Sequence, residues 1–255
     1  MHGSLRLPIR WTHRVLLAFA LILPAAVGTS RVSANDSVAQ VVDDRCSGPA
    51  VANGKMAVLD PGHHADQPGA VNQRYGLVEA DLNLDIAERT RRVLNGRGYR
   101  VCLTRTKNVD LRMGNSDRGD YANAVTQGYP TSKTVFVSIH LNASSTEWVN
   151  YTKTFWGKRN KDLEFARAIH NALWDALKND GNNHPTNLTD GGVGQFATGS
   201  LLQAAMPATL AENVFLSNNA EAARLADACG DTGTCRRQQI ASRLAFGVHE
   251  WLRQR

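Results

Sequence analysis

The sequence lacks several features that would assign it to a membrane, redox or nucleic-acid-binding class. Beyond residue 34, no run of apolar residues approaches the roughly 20 needed to cross a bilayer. It contains neither a CxxC pair nor an HExxH motif, which argues against a thioredoxin-type site, a zinc knuckle and a zinc site of the HExxH kind. From residue 35 onward, 25 basic residues face 23 acidic ones, so we expect no nucleic-acid partner.

The formal charge of +6 comes mostly from residues 1–34, which hold four arginines and no acidic residue. Three of these arginines precede an apolar run from Val15 to Gly28, which is short for a membrane span. Small residues follow and suit cleavage after Ala34. We predict a signal peptide over 1–34, a lead-in over 35–54 and one folded domain over 55–255. The alternative for the first segment is an uncleaved membrane anchor.

Four cysteines suit an exported chain, in which an even number permits disulfides in three possible pairings. Cys229 and Cys235 flank a turn rich in Gly and Thr that can close locally. Cys46 lies just before the first predicted strand, and Cys102 lies inside a later one. We predict the pairs 46–102 and 229–235. The alternative for Cys102 is a buried free thiol.

Short apolar runs alternate with segments of helical periodicity along the chain. The predicted strands cover 56–59, 99–104, 134–139, 152–156 and 208–215. The predicted helices cover 82–94, 112–126, 162–177, 220–228 and 236–253. Residues 179–200 are rich in Gly, Asn and Thr and are predicted to form a long loop. This alternation predicts a single α/β domain with a central, twisted, mostly parallel sheet flanked by helices.

Candidate metal ligands lie where predicted strands end. His63 follows the first strand, His140 follows the strand at 134–139, Glu212 lies near the end of the last strand, and Glu79 opens the first helix. Ligands of open α/β sheets bind at this edge. Two imidazoles and a carboxylate with an open fourth position form a common catalytic zinc set, and a second carboxylate can accept the proton of the activated water. From spacing alone, ordinary strand-end polar residues, and for Glu79 a helix N-terminal acid, remain alternatives.

Ordered sequence blocks support the first interpretation, because they resemble the zinc-dependent N-acetylmuramoyl-L-alanine amidases of the amidase 3 type. These blocks are VLDPGH at 58–63, EADLNL at 79–84 with GYRVCLTR at 98–105, RGDYAN at 118–123, SIHLNA at 138–143 and PATLAENVFLSN at 207–218.

The resemblance implies an enzyme that hydrolyses the amide between N-acetylmuramic acid and L-alanine in peptidoglycan. By matched position, His63, Glu79 and His140 would bind Zn²⁺, and Glu212 would be the catalytic carboxylate. The partner is then a peptidoglycan or muropeptide substrate, and the protein acts as a monomer in the periplasm, the cell wall or the medium, without a membrane span once the signal peptide is removed. Two rivals remain, a non-catalytic muropeptide-binding protein of the same fold and a zinc hydrolase of another amide.

His64 departs from the family pattern, which usually has glycine after the metal histidine. Its side chain would narrow the site or add a polar contact, and we do not expect it to bind the metal.

Several other residues have two interpretations or no assigned chemistry. A cluster of aromatic residues could stack on sugar or pack an edge strand; it comprises Trp148, Tyr151, Phe155 and Trp156. Asn142 and Asn218 are predicted to brace loops. His170, His184 and His249 are assigned no chemistry, and His170 is predicted to lie on the exposed face of its helix.

Overall fold

The computed structural model describes most of the chain beyond the predicted signal peptide. The described residues are 45–49, 54–109, 113–178, 186–229 and 235–255. The predicted signal peptide, most of the lead-in and His184 lie outside these ranges. Within them, no helix combines the length and the apolar character that a membrane crossing requires.

The described residues form nine strands and six α-helices. The strands are β1 (Cys46–Ser47), β2 (Met56–Pro61), β3 (Val71–Asn72), β4 (Leu77–Val78), β5 (Arg100–Leu103), β6 (Thr134–Asn142), β7 (Tyr151–Trp156), β8 (Thr189–Gln195) and β9 (Ala208–Phe215). The helices are α1 (Glu79–Gly96), α2 (Asn115–Val125), α3 (Asn160–Leu177), α4 (Gly199–Gln203), α5 (Asn219–Ala226) and α6 (Arg236–Arg253).

Seven strands form one sheet in the order β1-β5-β2-β6-β9-β7-β8. The central strands β5, β2, β6 and β9 are parallel, whereas β1 and β7 pair antiparallel with their inner neighbours. β3 and β4 form a separate hairpin. The predicted α/β fold with a mostly parallel sheet is confirmed. Because β2, β6 and β9 are adjacent and parallel, the residues at their carboxyl ends meet at one edge.

The central strands are buried on both faces, which explains their mostly apolar sequence. Every residue of β2 is buried. Leu59 and Ala211 face a core built with α1, α3 and α6, whereas Val58 and Leu210 face a second core built with α2 and α4. The sheet is therefore held rigid between two helical layers, and its carboxyl edge provides a fixed base for a site.

Both predicted disulfides are confirmed. Cys46 and Cys102 are bonded and lie opposite each other where β1 pairs with β5. Cys229 and Cys235 are bonded immediately before α6. The alternative in which Cys102 is a free thiol is therefore wrong.

The predicted loop over 179–200 is wrong in part, because Thr189–Gln195 forms β8 and Gly199–Gln203 forms α4. Residues 179–185 lie outside the described ranges. The prediction that His170 is exposed is also wrong. Its side chain is buried against β8, where its Nε2 atom lies 2.8 Å from Asp190 Oδ1. β8 flanks α3 and covers the helix face that carries His170. This face was predicted to be exposed to solvent.

Candidate metal centre and catalytic cleft

Three side chains from separate elements converge at the carboxyl edge of the sheet. His63 follows β2, Glu79 is the first residue of α1, and His140 lies in β6. Glu79 Oε1 is 3.2 Å from both His63 Nε2 and His140 Nδ1. One ligand atom of each residue lies within 4.8 Å of the others, so the three can share one metal ion. The structure thus brings together the three residues that the sequence suggested as ligands.

Glu79 is fixed by hydrogen bonds from elements on both sides of it. Its Oε2 atom accepts the Ala70 amide at 2.8 Å, and its Oε1 atom accepts the Leu141 amide at 3.1 Å and Asn83 Nδ2 at 3.2 Å. Burial opposes ionisation of Glu79, but hydrogen bonds and charge from His140 and His63 hold its pKa far below the usual range. Glu79 is therefore an ionised carboxylate placed between two imidazoles.

The turn that carries His63 is held by a buried ion pair between Asp60 and Arg118. Arg118 Nη1 lies 2.5 Å from Asp60 Oδ1, and the same guanidinium donates to the carbonyl oxygens of Pro61 and His63 at 3.0 and 3.3 Å. Asp60 also accepts from the hydroxyls of Thr104 and Ser138. Burial opposes ionisation, yet Arg118 and the two hydroxyls hold the pKa of Asp60 below its ordinary value.

A second buried arginine joins this turn to the helix that begins with Glu79. Arg105 donates to the carbonyl oxygens of Pro61 and Gly62, both at 3.0 Å, and to that of Ala80 at 2.7 Å. Arg105 and Arg118 belong to sequence blocks at 98–105 and 118–123, but neither was assigned a role from the sequence. Their roles follow from backbone contacts that only the folded chain creates.

Glu212 stands opposite His140 in the pairing of β9 with β6. Its Oε2 atom is buried without a hydrogen-bond partner among the described residues. Burial, assisted by the charge of Glu79, raises the pKa of Glu212 to about 7, although His140 and His63 act in the opposite direction. The pKa of His140 is raised in turn because, although burial opposes protonation, Glu79 and Glu212 favour it. A carboxyl group poised near neutral pH is suited to accept and return a proton.

His63, His140 and Glu212 border a cleft of about 550 Å³. Its lining residues are His63, His64, Asp66, Gln67, Met113, Gly114, Asn115, Arg118, Ser138, His140, Phe196, Thr198, Ser200, Leu210 and Glu212. His64 is buried and forms part of the wall, but it does not belong to the three-ligand cluster.

Four other residues from the sequence analysis make packing or loop-bracing contacts, and a fifth is an exception. Tyr151 packs against Phe215, and Phe155 packs against Phe196. Asn218 caps α5 by accepting the amide of Glu221, as its predicted bracing role requires. His249 Nδ1 lies 2.9 Å from the Tyr99 hydroxyl, away from the cluster. The exception is Trp148, which is 72% exposed.

The proteins that resemble the chain include two curated relatives and a solved structure. The endolysin of Bacillus phage SPP1 is 30% identical over 175 residues, which is 67% of this chain and 58% of that protein. The germination-specific N-acetylmuramoyl-L-alanine amidase of Bacillus subtilis (strain 168) is 33% identical over 134 residues, or 50% of this chain and 56% of that protein. The match thus spans just over half the length of each relative.

The crystal structure of N-acetylmuramoyl-L-alanine amidase from Clostridium difficile 630 has a TM-score of 0.66 and 25% identity to this chain. The likeness covers 80% of this chain and 99% of that one. The family model of the N-acetylmuramoyl-L-alanine amidases matches residues 57–241, which include His63, Glu79, His140 and Glu212. By this match, the chain belongs to the N-acetylmuramoyl-L-alanine amidase family.

Proposed function

We propose that the domain over 55–255 is a zinc hydrolase that cleaves the amide between N-acetylmuramic acid and L-alanine in peptidoglycan. The observation that carries this proposal is the position of Glu212. Its carboxyl group lies opposite His140 in the paired strands, with one buried oxygen atom that no described residue satisfies. An unpaired buried carboxyl group is costly, so its presence beside a metal-ligand cluster favours a chemical role.

The donor set fits zinc. His63 and His140 offer imidazole nitrogens, and Glu79 offers an ionised oxygen, which together match the two-histidine, one-carboxylate sites of catalytic zinc. When bound, zinc polarises a carbonyl group and makes a water molecule more acidic near neutral pH. Gly62 supports a metal site at this position. A side chain there would collide with the ring of His140, so the glycine leaves room for that imidazole.

Glu212 would act as the general base and then as the general acid. In its ionised form it accepts a proton from the attacking water, and it then donates that proton to the leaving nitrogen of L-alanine. Because the pKa of Glu212 is raised to about 7, both protonation states are accessible near neutral pH. The cleft beside it, about 550 Å³ in volume, is large enough to admit part of a muropeptide.

A non-catalytic muropeptide-binding protein is the rival from another functional class. Such a protein would need a cleft, but it would not need a buried, unpaired carboxyl group beside three metal-ligand side chains. The second rival, hydrolysis of a different amide, differs only in the bond that is cut, so product analysis separates it from the proposal.

The predicted signal peptide completes the proposal by directing the enzyme to its polymer. Three arginines, an apolar run and small residues at 32–34 fit export followed by cleavage after Ala34. N-terminal sequencing of the secreted protein should then give Asn35 as the first residue. A protein that retains Met1 in the membrane fraction would favour the anchor alternative.

The central experiment compares wild type with Glu212→Gln on purified peptidoglycan, with mass spectrometry of the released stem peptides. Wild type should release stems with a free L-alanine amine and contain about one zinc per chain. Glu212→Gln should be slower by about 10²–10⁴-fold, because glutamine cannot accept the proton. Its zinc content should remain near that of wild type.

Two further variants control this comparison. Glu164→Gln changes an exposed carboxylate that pairs with Arg167 on α3, and it should hydrolyse peptidoglycan like wild type. Glu79→Gln should lose zinc affinity, because it removes a charged ligand. A Glu212→Gln protein that cleaves at the wild-type rate would contradict the assignment of the base, and products cut at another amide would favour the second rival.

A further inference from the structure

A second cavity, of about 300 Å³, lies outside the metal cleft and shares no lining residue with it. Its walls come from the segments that follow β6 and β9 and from the segment before β8. The lining residues are Glu147, Trp148, Thr186, Asn187, Asn218, Asn219 and Ala220. β6 carries His140 and β9 carries Glu212. The cavity therefore lies on the carboxyl side of the same two strands that carry these site residues.

Trp148 is the aromatic residue of this cavity, and 72% of its surface is exposed. No ring of the described residues stacks on its indole, whereas Tyr151 and Phe155 from the same aromatic cluster are used in packing. Leaving a large aromatic surface in water forgoes the stabilisation that burial would give. A flat, exposed indole at the wall of a cavity is therefore suited to contact a ligand.

Apart from Ala220, the other described residues that line the cavity are polar, and none of them is basic. Glu147 and Asn187 are exposed and form no side-chain hydrogen bond with another described residue. Asn219 Oδ1 accepts from Asn72 at 3.2 Å, which orients its amide group. A lining whose described residues include Glu147 but no Lys or Arg favours a neutral ligand over an anion, and a single aromatic ring does not suit an extended apolar ligand. Carboxylate and amide groups beside an aromatic face suit a neutral ligand rich in hydroxyl and acetamido groups.

Buried hydrogen bonds hold the walls in place. Asn218 Nδ2 donates to the Glu147 carbonyl at 3.1 Å and so fixes the segment that carries Trp148. Asn150 donates to the Thr186 carbonyl and to Glu221 Oε2, both at 3.0 Å. These bonds tie the segment before β8 to α5. The cavity is therefore pre-formed, which lowers the entropic cost of binding a ligand.

We propose that this cavity binds an N-acetylated sugar of the glycan strand, with one face of the pyranose ring on Trp148. The sugar's hydroxyl and acetamido groups would bond to Glu147, Asn187 and Asn219. This inference rests on the proposed function, because a peptidoglycan substrate supplies the glycan strand. The cavity would hold a sugar unit of that strand outside the cleft in which the stem peptide is cut.

The test measures binding of soluble sugars that contain no scissile amide. Isothermal titration with tetra-N-acetylchitotetraose and with peptide-free glycan strands should give saturable binding to wild type, with a change in tryptophan fluorescence. Trp148→Ala should weaken binding by about tenfold, and Trp148→Phe should retain most of it. Phe246→Ala removes an exposed aromatic side chain on α6 and serves as the matched control, which should bind like wild type.

Three results would overturn the inference: no binding by wild type, equal binding by Trp148→Ala, or equal binding of cellotetraose, which lacks acetamido groups. Circular dichroism and zinc content verify that each variant is folded. The amidase assay on wild type separates the two proposals. Sugar binding that depends on Trp148 in a protein that releases no stems would refute the proposed function alone, whereas stem release without sugar binding would refute only the glycan site.

Discussion

Gly62 shows how the metal cluster depends on the absence of a side chain. A Cβ atom at this position would overlap the imidazole ring of His140, and the neighbouring His63 has a φ of 61°. The carbonyl oxygen of Gly62 accepts hydrogen bonds from Arg105 and Asn83. The turn therefore brings one ligand into position and leaves room for another.

Gly62→Ala should displace the ring of His140 and weaken zinc binding by about 10–100-fold, the range found when residues supporting a metal ligand are changed. Zinc titration against a competing chelator measures the effect. Gly96→Ala is the matched control, because a Cβ atom there meets no atom within 4 Å, and it should bind zinc like wild type. Equal zinc affinity in both variants would mean that His140 is not a ligand in this position.

Glu212 should make the stability of the metal-free protein depend on pH. Its folded-state pKa of about 7 lies above the ordinary value of 4.5, so the folded state holds a proton that the unfolded state releases between these values. Stability should therefore fall as pH rises through this window. In the Glu212→Gln variant, this fall in stability with rising pH should be absent.

Urea unfolding of the chelator-treated proteins measures this difference. At pH 8 the Gln variant should be more stable than wild type by up to about 3 kcal/mol, since each pKa unit corresponds to about 1.36 kcal/mol. Below pH 4.5 the two proteins should differ little, because the carboxyl group is then protonated in both states. A stability difference that does not change with pH would show that Glu212 is not desolvated as described.

At the scale of elements, the central strands were predictable and the edge elements were not. β2, β6 and β9 are mostly apolar because helices cover both of their faces, and their polar residues lie mainly toward the carboxyl ends. β8 has the sequence TDGGVGQ, which shows neither apolar alternation nor β-branched enrichment, and its pairing with β7 depends on the backbone. β1, β3 and β4 contain two residues each, too few to form a pattern.

The candidate metal site likewise has parts that the sequence predicts and parts that it does not. Sequence blocks pointed to the proposed ligands and the proposed base, because each lies near the end of a predicted strand or at the start of a helix. The supporting roles of Asn83, Arg105 and Arg118 depend on contacts between residues up to 58 positions apart. The burial of His170 was missed for a related reason, since the strand that covers it was itself missed.

The disulfide between Cys46 and Cys102 should stabilise the protein more than the one between Cys229 and Cys235. The first joins residues 56 positions apart and the second only six, so the first removes more conformational entropy from the unfolded chain. Replacing both cysteines of a pair by alanine should cost about 4 kcal/mol for 46–102 and about 2 kcal/mol for 229–235. Urea unfolding measures both values. An equal or reversed order would mean that strain or unfolded-state structure outweighs loop entropy.

At the scale of the whole molecule, the metal cluster joins parts of the chain that are far apart in sequence. Its proposed ligands come from the turn after β2, from α1 and from β6, and Glu212 comes from β9. A metal ion held by these three residues would link three separate parts of the fold at the carboxyl edge of the sheet. Because the unfolded chain cannot reproduce this arrangement, metal binding should favour the folded state.

Zinc should therefore raise the unfolding temperature of the whole domain. Free zinc at 100 times its dissociation constant contributes about 2.7 kcal/mol, which for a domain of this size corresponds to a rise of roughly 5–10 °C. Zinc binding to the unfolded chain should reduce this stabilisation only slightly, because all four cysteines are held in disulfides. Differential scanning calorimetry of chelated and zinc-loaded protein measures the rise.

His63→Ala should abolish most of this rise in unfolding temperature, whereas Glu212→Gln should retain it, because the base is not a ligand. A rise that survives in His63→Ala would place the stabilising zinc at another site and contradict the proposed ligand set.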